Sequence, residues 1–511
     1  MYFSGVFVRK KKNKSGVVSI QIIDKSTGRY ELYRTVGSSN DVKEIERFFK
    51  EGKKEIEQIT GQQLIPFHQE REQELLEVFF NNIEDYNLAG PELVLGKLFD
   101  EIGFNKISDE LFRHLVITRL VYPVSKLKTT DYIFKYKGMV IDVVNIYRYL
   151  DKLHSKQIEQ VQQISYEHTL KVISQPISIV FYDVTTLYFE AAQEDDFRQT
   201  GFSKDGKHQQ PQIVLGLLVS QGGYPLTYQV FEGSKFEGHT MLPVIEAFKE
   251  KYHLETIVVV ADAGLLSEKN IKAICNKEYQ YILGARIKSE SEVIRQQILA
   301  LKLNDAQSIC LTKPDGQKLV VSYSVQRAKN DAYNRQRGLK KLEKALAKGK
   351  LTKQHLNNKG YNKYLKMEGE ISIRIDYEKF KEDEKWDGLK GYLTNTSLTN
   401  EEVIEQYKQL WLIEKTFRIS KSDLKIRPIY HHLKRRIEAH ICISFAACKI
   451  YKELDRQLQV MKAELSPEKA IDILKTIYQI SIRLPYSNTK YSRLLIKNDE
   501  QQQLLKIFEV A

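Results

Sequence analysis

The stretch Val180–Glu190, VFYDVTTLYFE, decides the fold. A continuous apolar run of this length reads as a strand buried on both faces. Yet Asp183 sits inside it, and Thr185 and Thr186 follow closely. A strand built for the core should not carry a charge, so Asp183 needs a reason to be there.

Working outward, the neighbouring sequence keeps a strand rhythm. QIVLGLLVS (212–220) is a second strand and YPLTYQVFEG (224–233) a third. Gln221-Gly222-Gly223 forms the turn of a hairpin between them. The helix TMLPVIEAFKEKY follows. TIVVVADAG (256–264) is then a fully apolar strand of the central parallel kind, and it releases Asp262 at its end. Ser267 caps the helix SEKNIKAICNK, and YQYILGARI is a fifth strand. The order β-β-β-α-β-α-β places the chain in the α/β class.

The whole chain has 511 residues, so several domains are expected. Residues 1–75 read as a small β/α N-terminal module, with GVVSIQIID and RYELYRTVG as strands and NDVKEIERFFKEGKKEIEQI as a helix. Residues 76–170 read as a helical domain broken at Pro123. In it, Arg119, Lys126 and Lys128 could touch phosphate, a solvated face being the more ordinary reading. The core's first part spans 171–290. Residues 291–395 read as a basic, β-rich insertion around a helical stretch from Arg327 to Lys366, whose acids are Asp331 and Glu343. Residues 396–455 resume the core with one long helix from Asn400, and 456–511 read as a C-terminal helical region opening on Ser466-Pro467.

A formal charge of +13 suits a polyanionic partner, and equally a protein that is merely basic. Cys275, Cys310, Cys442 and Cys448 form no CxxC pair and no zinc spacing, and read as reduced, mostly buried thiols. His239, His431, His432 and His440 show no ligand pattern. The N-terminus does not read as a secretory signal. ICISFAAC (441–448) is too short for a membrane span and reads as a buried helix, so a cytoplasmic location is expected.

If strands one and four are neighbours, Asp183 and Asp262 meet at the carboxyl edge of the sheet, where ligands of open α/β sheets bind. Two carboxylates repel unless a cation lies between them. Oxygen ligands without cysteine favour Mg2+ or Mn2+. Farther on, Tyr407, Glu414 and Lys421 are spaced by seven and share a helix face. Glu414 within LWLIE is costly there unless it pairs with a base such as Arg418 or holds a metal.

These residues carry a resemblance. Asp183, Asp262 and Glu414 with YxxLxxxExxxxxxK resemble the DDE transposases of bacterial insertion sequences. The specific likeness is to the superfamily with the Tyr-x2-Arg-x3-Glu-x6-Lys signature, insertion-sequence family four. Leu410 stands at the Arg position of that signature. YDVTTLYFE, GFSKDGKHQQPQIVLGLLV, VADAGLLSEKNI and IEKTFRISKSDLKIRPIYHHLKRRIEAHI are similar to one subgroup.

The resemblance implies a ribonuclease H-like catalytic core, with a largely β insertion that contacts DNA before the last catalytic helix. It implies a DNA-cutting and strand-transferring enzyme in which Asp183, Asp262 and Glu414 hold two Mg2+ ions, with Mn2+ able to substitute. Tyr407 and Lys421 would bind phosphate near the scissile position, and Arg418 and Arg427 are further candidates for backbone contact, a salt bridge being the alternative for both. Arg335, Arg337, Lys340 and Lys341 of the basic stretch are expected on duplex DNA. Terminal inverted repeats and target DNA are the implied partners, with a homodimer expected by analogy. A nuclease on the same fold without strand transfer, and a silent DNA-binding relative, are the alternatives.

Overall fold

The computed structural model describes residues 5–60, 68–173, 177–190, 193–203, 206–265, 268–314, 316–352, 355–357, 360–368, 372–485 and 487–510. Ser267, Lys353 and Lys359 lie outside them. The chain divides into two compact units, Met1–Asp85 with Ser481–Ser492, and Tyr86–Ile480 with Arg493–Ala511. In the first unit, Val6–Lys12, Val18–Asp24 and Glu31–Ser39 form an antiparallel sheet. The amphipathic helix Val42–Thr60 covers it, with Ile20, Ile22 and Ile56 buried.

The second unit is organised by an eight-stranded sheet. Its strands are β1 (Ile179–Tyr188), β2 (Gln212–Ser220), β3 (Pro225–Glu232), β4 (Val258–Ala261), β5 (Gln280–Ala285), β6 (Ser308–Thr312), β7 (Lys318–Tyr323) and β8 (Leu389–Thr394). Their order is β6-β7-β8-β5-β4-β1-β2-β3. β1, β4 and β5 run parallel, and every other pairing is antiparallel. Gly222 and Gly223, at φ 81° and 77°, supply the left-handed geometry that the β2–β3 turn demands. The sheet is therefore a mixed one, with β1 and β4 adjacent, the condition under which Asp183 and Asp262 meet.

Both sheet faces are covered, which explains the uninterrupted apolar runs. One face packs on α1 (Glu110–Val121), α2 (Lys126–Lys137), α3 (Val143–Lys156) and α4 (Ile158–Ile173). The opposite face meets α5 (Met241–Tyr252) and α6 (Glu268–Asn276). Beyond β5 come α7 (Glu292–Ala300) and the basic helix α8 (Val325–Ala347). Then follow α9 (Asn400–Lys408), α10 (Leu410–Arg418) and α11 (Lys434–Val460). ICISFAAC lies inside α11 and is wholly buried against the first face. Among the described residues, no helix is long and apolar enough to cross a membrane.

Several expectations change. The helix from Asn400 is not continuous: it breaks at Gln409 and ends in a π-helical turn, Ile419–Asp423. Lys421 lies within that π-helical turn, so the regular spacing of seven from Tyr407 through Glu414 is not kept by one α-helix. Three strands of 291–395, β6, β7 and β8, join the core sheet itself. Residues 456–511 contain strands Tyr478–Arg483 and Lys490–Leu495 beside their helices. The period-two alternation of YQISIR could have shown the first of these. Cys275 and Cys310 are exposed, and only Cys442 and Cys448 are buried.

Candidate functional site

Period-two alternation decides where the acids point. In β1, Val180, Tyr182 and Val184 enter the core beside α5 and α6, while Phe181, Leu187 and Phe189 enter the core beside α11. Asp183 shares the second set. In β4, Val259 and Ala261 belong to the first core and Val258 and Val260 to the second, so Asp262, next in alternation, also faces α11. Tyr182 pairs with Ala261 in parallel register, which makes Asp183 and Asp262 consecutive neighbours at the end of that pairing. Each carboxylate accepts the N–H of its following residue: Val184 N to Asp183 Oδ1 at 2.8 Å, and Ala263 N to Asp262 Oδ1 at 2.7 Å.

The helical run from Asn400 packs on the same face through Val403, Tyr407, Ile413 and Phe417. Its start is fixed by a capping box in which Thr399 and Glu402 bond reciprocally. Tyr407 is 6% exposed, and its hydroxyl donates to Asp262 Oδ1 at 3.2 Å. Burial raises the Tyr407 pKa, and the charges of Asp262 and Glu414 add to the rise. Glu414 is solvent-exposed, contrary to the buried position its apolar neighbours suggested, so burial alone exacts no penalty from it.

The sequence reading missed Lys390 in β8. Its Nζ stands 4.4 Å from the Tyr407 ring centroid, a cation–π contact. Burial lowers its pKa, Arg327 lowers it further, and Asp262 and Glu414 oppose the fall. One ammonium thus feels a carboxylate from β4 and another from α10. The signal was present in the sequence: a lysine inside GLKGYLT is as odd for a strand as Asp183 is in β1. Among the described residues, no three His, Cys, Asp or Glu side chains are gathered closely enough to hold an ion. Asp183 and Asp262 are neighbours by register, and Glu414 acts together with Asp262 on Tyr407 and Lys390 without closing the cluster.

A cleft of about 850 Å³ opens from Asp262 and Tyr407 toward α8. It is lined by seven Lys or Arg and four Asp side chains. Arg337, Lys340 and Lys341 are exposed on α8. Arg335 is placed differently: it is 7% exposed, paired with Asp387 and Glu384, and stacked on Phe380. Arg418 is exposed, Lys421 is half-buried, and half-buried Arg427 lies over the Tyr188 ring at 5.8 Å. Neither Arg418 nor a lysine forms an ion pair with Glu414 among the described residues.

Residues 174–448 match the model of the transposase DDE domain family. That span is more than half of the chain and encloses Asp183, Asp262, Tyr407, Glu414 and Lys421. The chain belongs to the transposase DDE domain family. Among solved structures, the chain is similar to a piggyBac transposase synaptic complex with hairpin DNA, at 10% identity and a TM-score of 0.36. The match covers 71% of this chain and 69% of that one. No curated protein matches.

Proposed function

We propose that this protein is the transposase of a bacterial insertion sequence, binding the element's ends and catalysing metal-dependent cleavage and strand transfer on a ribonuclease H-like core. The observation that carries this reading is the placing of Asp183 and Asp262 directly after the paired Tyr182 and Ala261 on adjacent parallel strands, inside a matched transposase domain, with Tyr407 bonded to Asp262.

The donor chemistry fits a hard divalent ion. Asp183 and Asp262 lie on neighbouring strands of one sheet face, and Glu414 acts with Asp262 on Lys390. Asp183, Asp262 and Glu414 are the residues that would hold Mg2+ or Mn2+. Two such ions, when bound, supply activation of the attacking oxygen and charge neutralisation at the leaving 3′-oxygen. The chain's own groups do the remainder. Tyr407 orients the Asp262 carboxylate through its hydroxyl. Lys390 keeps the local field positive where a phosphate must approach two carboxylates. Lys421, Arg418 and Arg427 offer backbone contacts on the outgoing side, and Arg337, Lys340 and Lys341 offer them along α8. The fixed pairing of Arg335 favours a structural task for that residue. A pair of copies, one at each DNA end, would complete the reaction.

The test is cleavage of a labelled duplex carrying the element's end, with Mg2+, by the full chain and by the Asp183→Asn, Asp262→Asn and Glu414→Gln variants. The expected result is a metal-dependent cut leaving a 3′-hydroxyl, lost in all three variants while DNA binding persists. Joining of the cut end to a plasmid distinguishes a transposase from a nuclease. Specific binding without cutting by the unaltered chain, in Mg2+ and in Mn2+, would identify a silent relative and refute the catalytic assignment.

A further inference from the structure

Away from the acids, Arg119 of α1 and Lys126 at the start of α2 are each only 5% exposed, and both line a second cavity of about 380 Å³. The solvated face that the sequence suggested for them is therefore replaced by a buried one. Neither has a carboxylate partner among the described residues. The Arg119 guanidinium donates only a long bond, 3.5 Å, to the Leu424 carbonyl. Burial lowers the pKa of both, and the charge acting on Lys126 is Arg119 itself. His431 and His440 line the same cavity. Burial, Lys126 and Arg119 hold both of them neutral. His440 Nδ1 is buried without a hydrogen-bond partner. The acid on α3 nearest in sequence to this group, Asp151, is taken by Arg435 and Arg436.

A buried guanidinium and a buried lysine with no carboxylate partner are costly side by side, and an entering anion would offset that cost and hold both in their charged forms. The cavity also receives the first turn of α2, a twelve-residue helix whose N-terminal N–H groups favour negative charge. A guanidinium fork, an ammonium and a helix N-terminus together are the chemistry of a phosphate site. Lys425 and Arg427 extend the positive lining to the rim.

We propose that this cavity binds a phosphate group, and that its source is a backbone phosphodiester of the bound DNA. The choice of DNA as the source rests on the transposase reading; the cavity's chemistry does not. Position supports DNA. Ile429 donates its N–H to the Tyr188 carbonyl at 3.2 Å, which ties the cavity's rim to the end of β1. Tyr188 is five residues beyond Asp183, about 17 Å along the strand. That equals about five base-pair steps of a duplex whose scissile phosphate lies at the acids.

The experiment compares the full chain with its Lys126→Met and Arg119→Gln variants in two arms. In the first, inorganic phosphate is titrated and the melting temperature followed. In the second, affinity for a labelled end duplex and for an unrelated duplex is measured across salt concentrations. Phosphate should raise the melting point of the unaltered chain and leave Lys126→Met unmoved. Without phosphate, Lys126→Met should melt higher than the unaltered chain, because a buried repulsion is gone. It should also bind both duplexes about tenfold more weakly, with the salt slope reduced by about one.

Equal phosphate stabilisation of all three proteins overturns the site. Phosphate stabilisation that depends on Lys126, with unchanged duplex affinity and salt slope, overturns the DNA source and assigns the cavity to free phosphate. If the unaltered chain binds no duplex at all, the transposase reading fails, while the phosphate arm still decides the cavity.

Discussion

Gly284 in β5 lies directly beneath Tyr407, and a single methyl group there tests the site's geometry. A Cβ at position 284 would stand 2.4 Å from the Tyr407 hydroxyl oxygen and 3.1 Å from its ring carbon. Ordinary contact begins at 3.4 Å, so the hydroxyl must retreat by about 1 Å. Tyr407 is 6% exposed and packed edge-on against Tyr392, so its ring cannot simply swing into solvent. Its bond to Asp262, at 3.2 Å, has little length to spare and breaks. A hydrogen bond to a charged group contributes about 1.5–3 kcal/mol, and overpacking costs a similar amount of stability.

Gly284→Ala should therefore slow single-turnover cleavage of the end duplex by about tenfold to a hundredfold, with a modest fall in melting temperature and unchanged duplex affinity. Tyr407→Phe removes both the bond and the obstructing oxygen. Adding Gly284→Ala to it should cost little more, a strongly non-additive cycle. If Gly284→Ala cuts at the normal rate, or if the two effects simply add, the inferred role of the Tyr407–Asp262 bond is wrong.

Three further outcomes are expected. Burial holds the pKa of His168 at about 4 and that of His431 at about 3, against about 6.5 unfolded. The unfolded chain binds more protons in that window, so stability is full above about pH 6.5 and falls as pH drops toward 4, measurable by thermal melting across pH. Asp387→Asn leaves the buried Arg335 guanidinium with only its longer contact to Glu384, at 3.7 Å, and should cost up to about 3–5 kcal/mol in denaturant unfolding, while the salt slope of DNA binding stays put. Combined Arg337→Gln, Lys340→Gln and Lys341→Gln should weaken all duplexes alike and lower the salt slope by up to about three, seen in salt-dependent binding.

The central sheet was legible because its physics is local. VFYDVTTLYFE, QIVLGLLVS and TIVVVADAG announce strands covered on both sides, and the Gly-Gly turn between β2 and β3 fixes their hairpin. The acids were legible for the same reason, since a charge stands out against an apolar run. What escaped depended on distant contacts. Lys390 is meaningful only because β8 pairs with β5 and brings it over Tyr407. Arg335 looks like its basic neighbours on α8 until Asp387, 52 residues away, is found beside it. Arg119 and Lys126 belong to helices whose exposed and covered sides are set by α11 and by the segment around Ile426, neither of which their own periodicity reveals. The break at Gln409 was invisible because no Gly or Pro marks it.

Tyr323 at the end of β7 is paired with Leu389 at the start of β8. The intervening residues 324–388 therefore leave the sheet and return to it at one rung, as the loop of an ordinary hairpin would. They carry a small apolar centre of their own, built on Leu339, Leu342, Tyr364, Leu365, Ile375 and Phe380. Closing a long loop costs only slightly more entropy than closing a short one, because the dependence on length is logarithmic. The eight-stranded sheet is thus nearly indifferent to what is hung at this rung. Replacing this excursion by another, or by a tight turn, would leave undisturbed the strands that hold Asp183 and Asp262.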